Sequence, residues 1–175
     1  SFKNGSHLQA GAVLRNMYYK DEIEDKDRIV TGWGASLSGI WQFAENTSLC
    51  FQGVYGKGIS NYIQDISGSG LDLVPCATAE GKLKAIRAWG GYIGFSHNWC
   101  KALTSNIMYS YARVLDRYGM PATSYKYAQY AAANLFWDFS EYGSCAIEYV
   151  FGRRNDFNKD YGNASRINTM IQYRF

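Results

Sequence analysis

Eight stretches of the chain alternate apolar with polar side chains at a period of two, and each runs for ten to fifteen residues. They lie at 7–19, 29–43, 48–57, 84–96, 101–113, 125–139, 143–152 and 164–175, the last containing RINTMIQYRF. Period two marks a strand with two unlike faces, because successive side chains point to opposite sides. Soluble strands usually stop after about five or six residues, whereas a tilted strand that crosses a bilayer needs about nine to eleven. Strand length therefore favours an all-β fold, an antiparallel transmembrane β-barrel occupying residues 1–175 as a single domain. Gly occurs 18 times, Tyr 15 and Phe 9, a mixture that suits strands better than helices. No run of about 18 apolar residues is present, which excludes a transmembrane helix but not a barrel, whose apolar face is spread over alternate residues.

The connections alternate as well. AENT at 44–47, HNWC at 97–100 and SEY at 140–142 are short, while 20–28, 58–83, 114–124 and 153–163 are long and polar. Short turns on one end and long loops on the other are the habit of outer-membrane barrels, with the turns in the periplasm. The longest connection, 56–82, is either an external loop or one that folds inward and narrows a channel.

One parity of each segment is apolar or aromatic, as in Leu8, Ala10, Ala12 and Leu14, or Ile167, Ile171, Tyr173 and Phe175. Assigned to lipid, this parity places Trp41, Phe43, Trp137, Phe139, Tyr173 and Phe175 at the turn end, where amphipathic rings form an interfacial girdle. The other parity carries Gln, Ser, Asn and charged residues, and such a face has to be wet or internally hydrogen-bonded. A soluble ligand-binding barrel would reverse the two.

Net charge is only +3, which gives no reason to expect a nucleic-acid partner, so any charge argument concerns placement. By parity Arg15, Lys126, Arg154, Arg166 and Arg174 point inward with Glu148, and Arg28 and Lys84 join them nearer the strand ends. Arginines and lysines lining a pore lower the barrier for anions and grip carboxylates with paired donors. Alternatively Glu148 pairs across strands with Arg154, Arg166 or Arg15, and the charges merely fill the interior. Arg87 and Arg113 have lipid parity at the loop ends of their strands, which suits an anionic head group or a subunit contact.

Little here suggests catalysis or a bound cofactor. Cys50, Cys76, Cys100 and Cys145 lack metal-ligand spacing. The acidic run KDEIEDKDR at 20–28 lacks the frame of a calcium loop. His97 beside Ser96, or near Asp138, is the one imaginable catalytic group, without a nucleophile motif around it.

The segments NLFW at 134–137, EYVFGRR at 148–154, GGYIGFSHNW at 90–99 and the closing RINTMIQYRF resemble the C-terminal part of the DcaP-like porins of Gram-negative outer membranes. That resemblance implies a passive channel of a bacterial outer membrane, built as a homotrimer of sixteen-stranded barrels whose cationic interior favours small anionic solutes such as dicarboxylates. It matches Arg153, Arg154, Arg166 and Arg174 to strand positions of that family. It further implies contact with outer-membrane lipid and lipopolysaccharide, and a C-terminal aromatic read by the outer-membrane assembly machinery. Only eight strands are visible, so the chain reads as the C-terminal half of a longer porin. The alternative is a closed eight-stranded barrel, with 7–19 paired to 164–175, acting as an anchor, adhesin or surface-binding module.

Overall fold

The computed structural model describes residues 5–175. Its strands, in chain order, are β1 (His7–Asp21), β2 (Lys26–Ala44), β3 (Thr47–Lys57), β4 (Leu73–Pro75), β5 (Leu83–Ala85), β6 (Arg87–Cys100), β7 (Leu103–Val114), β8 (Tyr125–Asp138), β9 (Gly143–Asp156) and β10 (Tyr161–Tyr173). Eight of them form one sheet in the order β1-β2-β3-β6-β7-β8-β9-β10, and β4 and β5 pair separately. The sheet is an antiparallel meander throughout.

Alternation becomes two distinct faces. Trp33, Leu37, Trp41, Ile93, Ile107, Tyr149 and Ile171 lie on one and are exposed, Ile171 by 85%. The polar parity lies on the other, where the segment after β3 covers part of it. Large apolar side chains exposed along a whole sheet face are the inverse of a soluble core.

Three boundaries differ from the sequence expectation, two because strands run on where both faces turn polar and one because of a bulge. Residues 20–28 are strand, since Lys20 pairs with Asp27 and Asp21 with Lys26 in the β1–β2 ladder. The turn is only 22–25, held by the Asp21 carboxylate accepting the amides of Ile23 and Glu24 at 3.2 Å each. Residues 153–163 are mostly strand too, with a turn at 157–160. HNWC belongs to β6, which runs through a bulge between Asn98 and Cys100 before turning at 101–102.

The packed core lies between the β3–β6 connection and the polar face. Two short 3-10 turns, Ser60–Tyr62 and Gln64–Ile66, and the β4–β5 hairpin fold back over the sheet. Ile59, Ile63, Ile66, Leu71, Val74 and Ile86 pack with Ala88, Ala112 and Val114, flanked by Val13, Val54, Tyr125 and Phe157. Glycines make room for this. A Cβ at Gly34 would stand 2.9 Å from Ile59, and one at Gly90 would stand 2.9 Å from Ile63. The chain leaves β3 through Gly58 at φ +68, a left-handed conformation that glycine adopts freely. Of the two readings of 56–82, the inward loop is the one observed.

The closed eight-stranded alternative is not observed. Among the described residues β1 pairs only with β2 and β10 only with β9, so the sheet is open at both edges. An eight-stranded barrel has an interior just wide enough for its own side chains, and the folded loop already occupies that side. Lys84 is corrected with it: the residue belongs to β5 in the loop hairpin, outside the eight-stranded sheet.

Candidate functional site on the polar face

A single row of polar side chains crosses the face near the turn end. Reading from β2 to β10, Gln42, Ser48, Ser96, Asn106, Asn134, Glu148 and Asn168 are successive register partners. Four of them are joined directly. The Asn106 amide donates to Asn134 at 2.8 Å, Asn134 donates to Glu148 at 3.4 Å, and Asn168 donates to the other Glu148 oxygen at 2.9 Å. Such pairs form because directly opposed residues in antiparallel strands bring their side chains within reach. Glu148 is therefore held by two amides, not by Arg154, Arg166 or Arg15.

The cations divide into two groups. Arg15 donates to Asp72 of the loop at 3.0 Å, Arg154 to Asp156 at 2.9 Å, and Arg28 to Asp21 at 2.6 Å with a second contact to Glu24. Lys126 lies at the bulge of β8, with its ammonium 6.0 Å above the Phe157 ring. Arg166 and Arg174 are exposed on the polar parity of the β10 segment, and neither has an acidic partner among the described residues. Arg153 stands on the opposite face, its guanidinium 4.3 Å from the Tyr161 ring centroid. Of the inward-parity arginines, the two without an acidic partner among the described residues both lie at the β10 edge of the sheet.

Two carboxylates of the loop tie it to the sheet: Asp65 accepts from the Tyr125 hydroxyl at 2.7 Å, and Asp72 is the charged tether. Asp72 accepts from Arg15 at 3.0 Å and from the Ser60 hydroxyl at 2.8 Å, with only 14% of its side chain exposed. Replacing Asp72 with asparagine removes the charge while keeping the shape, and strands a half-buried guanidinium. The expected cost is about 1–3 kcal/mol of loop docking, less than for a fully buried pair. Hydrogen exchange at residues 59–74 should accelerate in D72N while the strands stay protected; unchanged loop exchange would refute the tether.

On the aromatic face, Trp41 and Phe43 stack at 5.4 Å, and Trp137 meets Phe139 edge-on at 5.9 Å. Tyr173 lies 6.4 Å from Tyr142, and Phe175 is fully exposed at the same end. Trp99 joins them, donating its indole N–H to Ser105 at 2.9 Å. It escapes a sequence reading because the bulge makes its segment look like a turn; the signal was the unbroken alternation Ile93, Phe95, His97, Trp99. His97 is on this face too, 2.8 Å from the Thr47 hydroxyl, whereas Ser96 and Asp138 carry the opposite parity. No triad assembles from them. The four cysteines are all unpaired, and Cys76 sits in the loop, where the Thr78 hydroxyl and amide draw its thiol down to about 7.

At the loop end, Arg87 grips Asp116 through its Nε and a terminal nitrogen, and its amide donates to the same carboxylate at 2.9 Å. The Arg87 guanidinium holds the Asp116 carboxyl below its ordinary value of 3.8, against the opposing effect of burial. A depressed acid stabilises the fold fully above its unfolded value, and that contribution is lost as pH falls through the lower folded value. A carbon-13 titration of Asp116 should therefore show a midpoint below 3.8, and R87Q should move it back up. A midpoint that ignores R87Q would dismiss the clasp.

An open, meandering antiparallel sheet with an aromatic outer face, a polar inner face and an inward loop has the architecture of half a porin. Among solved structures it resembles the outer membrane channel DcaP of Acinetobacter baumannii, with a TM-score of 0.77 and 19% sequence identity over 99% of this chain and 49% of that one. The chain thus spans about half the length of the channel it matches, and the likeness is one of fold. No protein-family model matches the sequence, and no curated protein matches it either.

Proposed function

We propose that this chain forms half the wall of a bacterial outer-membrane channel, through which small solutes, preferably anions such as dicarboxylates, diffuse passively. The observation that carries the reading is the inversion of the two faces: exposed rings on one side, and on the other a continuous polar row near the turn end with a loop folded over the same face nearer the other end. In this setting the aromatic face meets lipid and lipopolysaccharide, with Trp41, Phe43, Trp137, Phe139, Tyr173 and Phe175 at the periplasmic interface. The polar face lines water. Arg15 and Arg154 are screened by their acids, so Arg166 and Arg174 supply most of the attraction for anions, with Lys126 near the loops and the Glu148 carboxylate held by its two amide donors. Sixteen strands leave an aqueous passage that eight do not, which is why both open edges require further strands. Assembly as a homotrimer through part of the outer face, after insertion by the outer-membrane assembly machinery, completes the proposal.

Planar-bilayer recording on the full-length protein tests it. The expected result is steady conductance with a reversal potential of anionic sign in a potassium chloride gradient. Absence of conductance defeats the channel, and a cationic sign defeats the role given to Arg166 and Arg174.

A further inference from the structure

The aromatic face is graded along its strands in a way that a plain lipid-facing wall does not need. At mid-height Gly53 and Gly91 are register partners and form the floor of a groove of about 710 Å³, which Leu37, Ile93 and Tyr111 help to line. The groove is shallow and open along the sheet face. A side chain at Gly53 would meet nothing within 4 Å, so the opening there is space left free and not a demand of packing. Two residues nearer the loops, Tyr55, Trp89, Arg113 and Tyr127 stand side by side in register. Two residues further, Lys57 pairs with Arg87.

Apolar groove, aromatic shelf and cationic rim follow one another in the order acyl chain, interface and phosphate within a membrane leaflet. Arg87 is answered by Asp116. Lys57 forms no salt bridge among the described residues, although it shares the field of Asp116 with Arg87. Arg113 has no acidic partner among them; it hydrogen-bonds Tyr111, and its Nε is buried without a partner. A guanidinium at the edge of a hydrophobic face, unmatched by any acid among the described residues, is complementary to an anion carried by the lipid itself.

From this juxtaposition we propose a specific lipid site: one acyl chain of a phosphate-bearing glycolipid lies in the Gly53–Gly91 groove, and its phosphate is held by Arg113 and Lys57. The proposal rests on the membrane-channel reading above and deepens it, by naming the lipid chemistry and the place. A general lipid boundary would need neither the groove nor the cations.

The test uses the full-length protein in nanodiscs of phosphatidylcholine doped with either bisphosphoryl lipid A or its dephosphorylated form, with bound lipid counted by native mass spectrometry after release. The parent should retain the phosphorylated form in preference. K57Q/R113Q should lower that retention about tenfold, as expected for losing charge-assisted hydrogen bonds. K57R/R113K, which keeps both charges, should preserve most of it. G53F fills the groove without displacing a strand and should lower retention with the cations intact. Equal retention of the dephosphorylated form, or unchanged retention in G53F and K57Q/R113Q, overturns the site. A shift in oligomeric state of those variants in lipid-free detergent, with lipid retention unaltered, overturns it in favour of a subunit contact. Conductance recorded on the same preparations separates the two claims: a non-conducting parent that still selects phosphorylated lipid defeats the channel and not the site.

Discussion

Ile86→Asp is expected to release the inward loop and raise single-channel conductance while leaving the eight-stranded sheet intact. Ile86 is fully buried between β5 and β6 at the centre of the loop's apolar cluster. Its backbone fastens the loop at two points, accepting from the Gly58 amide at 2.8 Å and donating to the Asp72 carbonyl at 3.4 Å. A carboxylate placed there would be buried without a partner, which costs several kcal/mol and is relieved most cheaply by opening the loop to water. The strands have no such dependence on the loop, because their ladders run from neighbour to neighbour. Trypsin should then cut the variant at Lys82 or Lys84 while the barrel stays resistant, and the open-channel current should rise. I86V, which removes one methyl group at about 1 kcal/mol, should behave like the parent. An I86D channel with unchanged current and an uncut loop would show that the cluster does not hold the constriction.

The second large effect concerns charge. On the proposed reading of an anion-preferring channel, R166E with R174E should shift selectivity toward cations, lowering the anion-to-cation permeability ratio by roughly tenfold. Both guanidiniums are exposed on the polar parity and free of acidic partners among the described residues, so each reversal is felt by a passing ion and not absorbed by a neighbour. A charge a few ångströms away in water is worth about 1 kcal/mol, or a factor of about five. R166Q with R174Q should fall in between, and raising the salt concentration should shrink the differences, since exposed charges are screened. R15E is the contrast: it opposes Asp72 and should disturb the loop before it disturbs selectivity. Selectivity that follows Arg15 and ignores Arg166 would reverse this assignment.

Much of the architecture was legible because alternation is a local property. The parity of Trp41, Leu135, Ile147 and Ile171 alone places them on one face, and no tertiary knowledge is needed to do so. Strand ends were harder to read. Residues 20–28 look like a loop because both faces are polar there, yet the Lys20–Asp27 and Asp21–Lys26 pairings carry the ladder onward. Partners were the least legible of all. Parity assigns Arg15 to the inner face, but whether it is free depends on Asp72, which lies 57 residues away in a loop whose fold has no period to read. Glu148 shows the same limit in milder form: its neighbours Asn134 and Asn168 follow from register, and register follows only once the turns are known.

The inward loop also has a consequence for how such a barrel is assembled. It leaves β3 and returns as β6, and those two strands are direct neighbours, so the loop is an enlarged hairpin connection. The contacts that fix it come from Val13, Val54, Ala88, Ala112, Val114 and Tyr125, all within this one open sheet. Docking of the loop therefore does not wait for closure. In the channel proposed above, the near side of the throat would be set while the wall is still a sheet, and closing the ring would add circumference around it.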